Sequence, residues 1–195
     1  MLSLLSPFYC AHCIHCRLPE QSCICAQIKE TKLPFKIILC SHSKEWQRND
    51  NTGQWAVLSS KDIKRYRWHR KPELIQPEFN QLEFTTEAGH FLLFPAPDSQ
   101  PISQLEHEIT HLWVIDGTWQ EAQKMLNQSS WLQGLPKISI TSASSEFVLR
   151  RNQRGLSTIE AIECAVRDNQ PSDISADKLN FNFNLIQNQL LNLLR

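Results

Sequence analysis

Glycine is scarce in this chain, five residues in 195. There is neither a GxxxxGK[ST] phosphate loop nor a GxGxxG turn, which speaks against a P-loop nucleotidase and against an ordinary dinucleotide-binding fold. HExxH and GxSxG are missing as well, and no cysteine sits in a nucleophile context with histidine. Net charge is absent too: 20 Lys plus Arg balance 20 Asp plus Glu. No global field therefore draws the protein to DNA or to an anionic membrane, and any polyanion site must be a local patch. No apolar run approaches the length of a membrane span. The opening MLSLLSPF lacks the basic start and apolar stretch of a signal peptide, so a soluble cytoplasmic protein is expected.

What the sequence does have is cysteine, seven residues of it. Cys10, Cys13, Cys16, Cys23 and Cys25 crowd the first 25 positions, while Cys40 and Cys164 stand alone. In a reducing compartment such a cluster reads as thiols or metal ligands and not as disulfides. Cys13-x2-Cys16-x6-Cys23-x-Cys25 offers four soft ligands at spacings suited to tetrahedral Zn2+, and an all-thiolate set leaves no open coordination position, so the metal would be structural. Zinc and iron both suit the spacing, Cys10 is an additional cysteine, and His12 and His15 are alternate donors. Residues 1–30 are thus expected to form a cysteine-rich zinc module, with 31–195 as the main domain. A hydrophobic fraction of 41% is enough for a real core there.

Four apolar runs read as buried strands: 33–41, 90–97, 111–116 and 137–141. Helical patterns cover 118–130, 157–168 and the C-terminus, where Phe183, Ile186, Leu190 and Leu194 share a face. A short helix is expected to begin near Asn51 or Thr52. Strands alternating with helices define an α/β domain with a largely parallel sheet.

Two strand-to-helix junctions share one device. Thr118-Trp-Gln-Glu121 and Ser157-Thr-Ile-Glu160 both fit the capping box, and each follows a glycine, Gly117 and Gly155. A helix start carries unpaired N–H groups that can hold a carboxylate or phosphate, and ligands of open α/β sheets sit beyond the carboxyl ends of the strands. Asp116 lies at such an end. It either faces a ligand or satisfies the amides of its own turn, and pattern alone does not choose.

Asp116-Gly117-Thr118-Trp119, followed by QEAQKM and by LSTIEA (156–161), resembles the DTW-domain family, named for its Asp-x-Thr-Trp motif. SHSKEWQRNDNT is similar to the family's His-Pro-x-Glu…Asn-Thr segment, LLFPAP to its Leu-Leu-Phe/Tyr-Pro strand end, and FVLRRN to its Tyr-x-Leu-Arg segment. The likeness runs over nearly the whole chain, with departures at Ser43, where proline is common, and at Cys16-Arg-Leu-Pro, one residue longer than the usual Cys-x-Arg-Pro. The resemblance implies an S-adenosylmethionine-dependent tRNA-uridine aminocarboxypropyltransferase, which alkylates uridine N3 and releases methylthioadenosine. It also implies a SPOUT-like α/β fold with a C-terminal trefoil knot, a feature that periodicity does not show.

On that reading Asp116 is the expected general base for the N3 proton. Thr118 and its helix start would hold the carboxylate of S-adenosylmethionine, and Ser157, Thr158 and Glu160 its amine or ribose. Leu93, Phe94 and Pro95 would form an adenine slot with Trp119 as a stacking wall, although core packing is the commoner fate of a tryptophan on a first helical turn. Lys61, Lys64, Arg65, Arg67, Arg70 and Lys71, interleaved with Tyr66 and Trp68, have the composition of a phosphate-tracking surface for tRNA, which Arg150, Arg151 and Arg154 would extend. A charge run is more often a solvated face. Two competing readings remain at this stage: RNA methyl transfer from the same cofactor, and a zinc-containing RNA-binding module without catalysis.

Overall fold

The computed structural model describes residues 11–76, 88–141, 144–149 and 155–194. Its centre is a six-stranded sheet in which every pair is parallel. The strands are β1 (Lys36–Ser41), β2 (Ile63–Arg67), β3 (His90–Leu93), β4 (Gln100–Pro101), β5 (His111–Asp116) and β6 (Lys137–Ser139). Their spatial order is β2-β1-β5-β3-β6-β4. A parallel sheet buries both faces, which is why β1, β3 and β5 are continuous apolar runs without polar alternation.

The pleat sends successive side chains to opposite faces. Ile37, Leu39, Leu112 and Val114 join one core with α2 (Thr52–Ser59), α5 (Thr158–Asn169) and α6 (Ile174–Leu193). Ile38, Cys40, Leu92 and Trp113 join the other with α3 (Trp119–Asn127) and α4 (Ser130–Gln133). The expected α/β class and the expected strands and helices are present. Cys16, Leu18 and Ile24 are buried in the first of these cores, so the cysteine-rich segment packs directly on the main domain.

Three expectations need correction. The basic stretch contains an edge strand, β2, which sequence reading missed because Lys64 and Arg67 mask its apolar positions. The strand after Gly89 stops at Leu93, short of Pro95, since proline has no amide for a ladder. Leu194 is 74% exposed, about two turns beyond Ile186, the last buried residue of the stripe it was expected to share.

Register sets the site. Ser41 is paired with Asp116 on one side and with Arg67 on the other, so the carboxyl ends of β2, β1 and β5 finish level. A four-residue helix, α1 (Ser43–Trp46), and the start of α2 follow immediately. Asn51 caps α2, its side-chain oxygen accepting from the Gln54 amide at 2.8 Å.

Candidate functional site

Asp116 is 1% exposed, and its carboxylate gathers donors from four distant segments. Ser41 Oγ donates to Oδ2 at 2.6 Å and Arg65 Nη2 to the same oxygen at 3.0 Å. Thr158 Oγ1 donates to Oδ1 at 2.9 Å, and Asn51 Nδ2 reaches both oxygens at 3.1 and 3.2 Å. A carboxylate has about four acceptor positions, so this one is saturated. The Arg65 charge compensates it, and breaking such a buried pair would leave a charge unpaired. Around this centre Arg65 Nε donates to Ser41 Oγ, Arg65 Nη1 to Gln54 Oε1, and Asn51 Nδ2 to Glu45 Oε2. A Cβ on Gly53 would stand 2.8 Å from Asp116 Oδ2, so only glycine lets α2 come this close.

Sequence reading found Asp116 but not Ser41 and Asn51, which donate to it, Glu45, which accepts from Asn51, or Gly53, which packs against it. The signal available was the segment SHSKEWQRNDNT, which supplies three side chains of the network. Arg65 is a correction: its side chain is 4% exposed and belongs to Asp116, not to a surface stripe. Lys64, Arg67, Arg70 and Lys71 are exposed as expected, with Arg70 Nε donating to Gln128. Arg150, Arg151 and Arg154 lie outside the described residues.

Beside the network, at the carboxyl ends of β3 and β5, is a cavity of about 290 Å3. It is lined by Leu93, Phe94, Pro95, Trp119, Ser157 and Thr158 among others, six of the eight residues expected to bind a cofactor. The ring of Trp119 is 58% exposed and stacks on Phe94 with centroids 5.2 Å apart, so the commoner fate of core packing does not apply. Asp116 is not in this lining; Thr158 stands between it and the cavity. Ser157 heads α5 in capping-box position, yet its buried hydroxyl finds no partner at hydrogen-bonding geometry.

Thr118 and Glu160 do not line the cavity. Thr118 exchanges hydrogen bonds with Glu121, whose carboxylate takes the Thr118 amide at 3.0 Å. Burial pushes Glu121 up, but the Thr118 donors with His42 and Lys44 nearby outweigh it and hold the carboxyl below its ordinary value. Glu160 accepts from the Ser157 amide, from Ser145 Oγ and from the Glu146 amide, and so pins the segment 144–149 onto α5. Each glutamate closes its capping box, Glu160 also holding the 144–149 segment.

Cys13, Cys16, Cys23 and Cys25 converge, their Sγ atoms all within 4.8 Å of one another. The Cys13–Cys25 and Cys16–Cys23 pairs are each 3.7 Å apart. Four sulfurs ~2.3 Å from one tetrahedral ion would stand about 3.8 Å apart, so the donor set fits a single thiophilic metal. Amides of Cys16 and His15 aimed at the Cys13 sulfur bring its thiol down to about 6, while burial pushes Cys16 and Cys25 up. Cys10 lies outside the described residues.

These features define an α/β protein with a parallel sheet, a cavity at the strands' carboxyl ends and a four-cysteine cluster whose geometry could hold a metal ion. The chain belongs to the DTW domain family, whose model matches residues 10–191. It is 25% identical over 178 residues to the Drosophila melanogaster protein named tRNA-uridine aminocarboxypropyltransferase 2, covering 82% of this chain and 67% of that protein. No solved structure matches it. Among the described residues, no helix is long and apolar enough to cross a membrane.

Proposed function

We propose that this chain modifies tRNA, transferring the 3-amino-3-carboxypropyl group of S-adenosylmethionine to N3 of a uridine and releasing methylthioadenosine. The observation that carries the reading is that Gly117 and Trp119 of the family's Asp-Gly-Thr-Trp segment line an apolar cavity at the carboxyl end of a parallel sheet, with Asp116 one hydrogen bond behind its Thr158 wall. The cavity suits such a group. Leu93, Phe94 and Pro95 offer an apolar slot beside the Phe94–Trp119 stack, and the unpartnered Ser157 hydroxyl at the α5 start is a polar group left for a bound molecule. When bound, S-adenosylmethionine supplies a carbon already activated by its sulfonium.

The chain's own task is then orientation and removal of the N3 proton. Among the described residues, nothing lining the cavity titrates near neutrality. The route to a carboxylate runs through Thr158: its hydroxyl would accept the N3 proton while passing its own to Asp116 Oδ1, 2.9 Å away. Asp116 thus remains the base, one hydroxyl removed from the substrate. As N3 bonds to the γ carbon, the carbon–sulfur bond breaks and the thioether leaves neutral. The four cysteines would hold a structural zinc, and Lys64, Arg67, Arg70 and Lys71 would track tRNA phosphates. The C-terminal trefoil knot and a cytoplasmic location belong to the same proposal.

Nucleoside mass spectrometry of tRNA incubated with protein and S-adenosylmethionine tests the reaction, because an aminocarboxypropyl and a methyl group differ in mass. Asp116→Asn and Thr158→Val should each slow single-turnover product formation ~10²–10⁴-fold at neutral pH. Alkaline solution should restore part of it, since uridine N3 then ionises unaided. A Thr158→Val protein with wild-type rate would end the relay.

A further inference from the structure

Arg17 sits between two buried residues, Cys16 and Leu18, with φ of 62°. It is the only non-glycine among the described residues with positive φ. Glycine or asparagine adopts that conformation more easily than arginine. The turn is tightly made, with the Cys13 amide donating to the Leu18 carbonyl and the Arg17 amide to that of Cys13, each at 2.8 Å. The backbone that wraps the cysteine cluster therefore also fixes where the Arg17 side chain leaves. Nothing in the turn itself calls for a guanidinium there.

The side chain reaches across to the main domain. Nη1 donates to the Arg48 carbonyl at 2.7 Å, and this is its one hydrogen bond among the described residues, out of five donors. Its charged neighbours are Arg65 and Asp116; burial, with the Arg65 charge, holds the Arg17 pKa below the usual arginine value. Those two are already paired with each other, and Arg48 is taken by Glu45 and Asp50. Arg17 has no carboxylate within ion-pair distance among the described residues. A half-buried guanidinium with unmet donors beside the carboxyl ends of β1 and β5 is a ready anion acceptor. The residue does not line the cavity. Exposed Arg67, its guanidinium 5.6 Å over the Trp46 ring, continues the positive face.

We propose that Arg17 binds a backbone phosphate of the RNA next to the reacting nucleotide, making the cysteine cluster the strut that presents it. This rests on the tRNA reading above. Fluorescence anisotropy with unmodified tRNA, across a salt series, compares wild type with Arg17→Gly, a substitution the positive φ accommodates, and with Arg17→Asn as a second variant. Affinity for tRNA should fall by at least about tenfold at low salt. The slope of log K against log salt should shrink by roughly one unit. Calorimetric affinity for S-adenosylmethionine should stay unchanged. A role confined to clasping the Arg48 carbonyl would move the melting temperature and leave the salt slope as it was, and that result overturns the proposal. Wild-type affinity and slope in both variants would end it as well, leaving the tRNA reading intact. A wild-type protein with no affinity for tRNA would end both.

Discussion

At the scale of single residues, Asp116 and Gly53 depend on one another. The carboxylate is held by donors from Ser41, Asn51, Arg65 and Thr158, so it cannot swing aside for a new neighbour. A methyl group on residue 53 would meet three of its atoms at 2.8–3.0 Å. Gly53→Ala is thus expected to destabilise the protein by about 1–3 kcal/mol despite alanine's better helix propensity. Urea denaturation checks this; an alanine variant as stable as wild type would show that the network yields. Asp116 itself was legible, because an aspartate closing an apolar run before Gly-Thr-Trp is an unusual event. Arg65 was not. Within Ile63–Lys64–Arg65 only the pleat decides that Lys64 faces solvent and Arg65 turns inward, and composition treats both as members of one basic run. Trp119 escaped the common rule because Phe94, from a different strand end, gives it a surface to stack on.

Elements with strong periodicity or continuous apolar runs were read nearly in full: β1, β5 and α3 fall within the expected ranges, and α5 passes its range by one residue. What pattern reading cannot see is a polar residue placed inside an apolar stripe on purpose. On α6 the buried face runs Leu179, Asn182, Phe183, Ile186 and Gln187. Asn182 takes the Lys29 amide at 2.9 Å and gives to the Lys29 carbonyl at 3.0 Å. Gln187 does the same for the Val148 amide and the Glu146 carbonyl. An asparagine-rich helix thus fastens two loops that have no ladder of their own. Asn182→Leu should cost about 2 kcal/mol by leaving both Lys29 groups without a partner, whereas exposed Asn188→Ala should stay within ~0.5 kcal/mol. Equal losses in chemical denaturation would mean that the clamp contributes nothing.

Over the whole molecule, the end of the sheet opposite the cavity carries its own chemistry. His90 and His111 stack with ring centroids 4.4 Å apart, and Trp113 Nε1 donates to His90 Nδ1, an arrangement that requires neutral His90. Burial first, and the His111 charge second, lower His90 to about 4, and burial lowers His111 as well. A depressed histidine binds its proton in the unfolded chain before it does so in the folded one. Its stabilisation is complete above pH ~6.5 and fades as the pH falls towards about 4, by on the order of 2 kcal/mol. Unfolding free energies at pH 7, 6, 5 and 4 should show this decline, and His90→Gln should flatten it. Constant wild-type stability from pH 7 to pH 5 would refute it. The sheet order has a consequence for how such a protein comes into being. None of its strands pairs through a hairpin, and the Ser41–Asp116 bond joins residues 75 apart in the chain. Contacts so remote form slowly. Segments near 41, 51, 65, 116 and 158 must all arrive before the carboxylate is enclosed. A nascent polypeptide lacks the finished centre until α5 has emerged and docked, so competence for a ligand in the cavity is acquired in one late step.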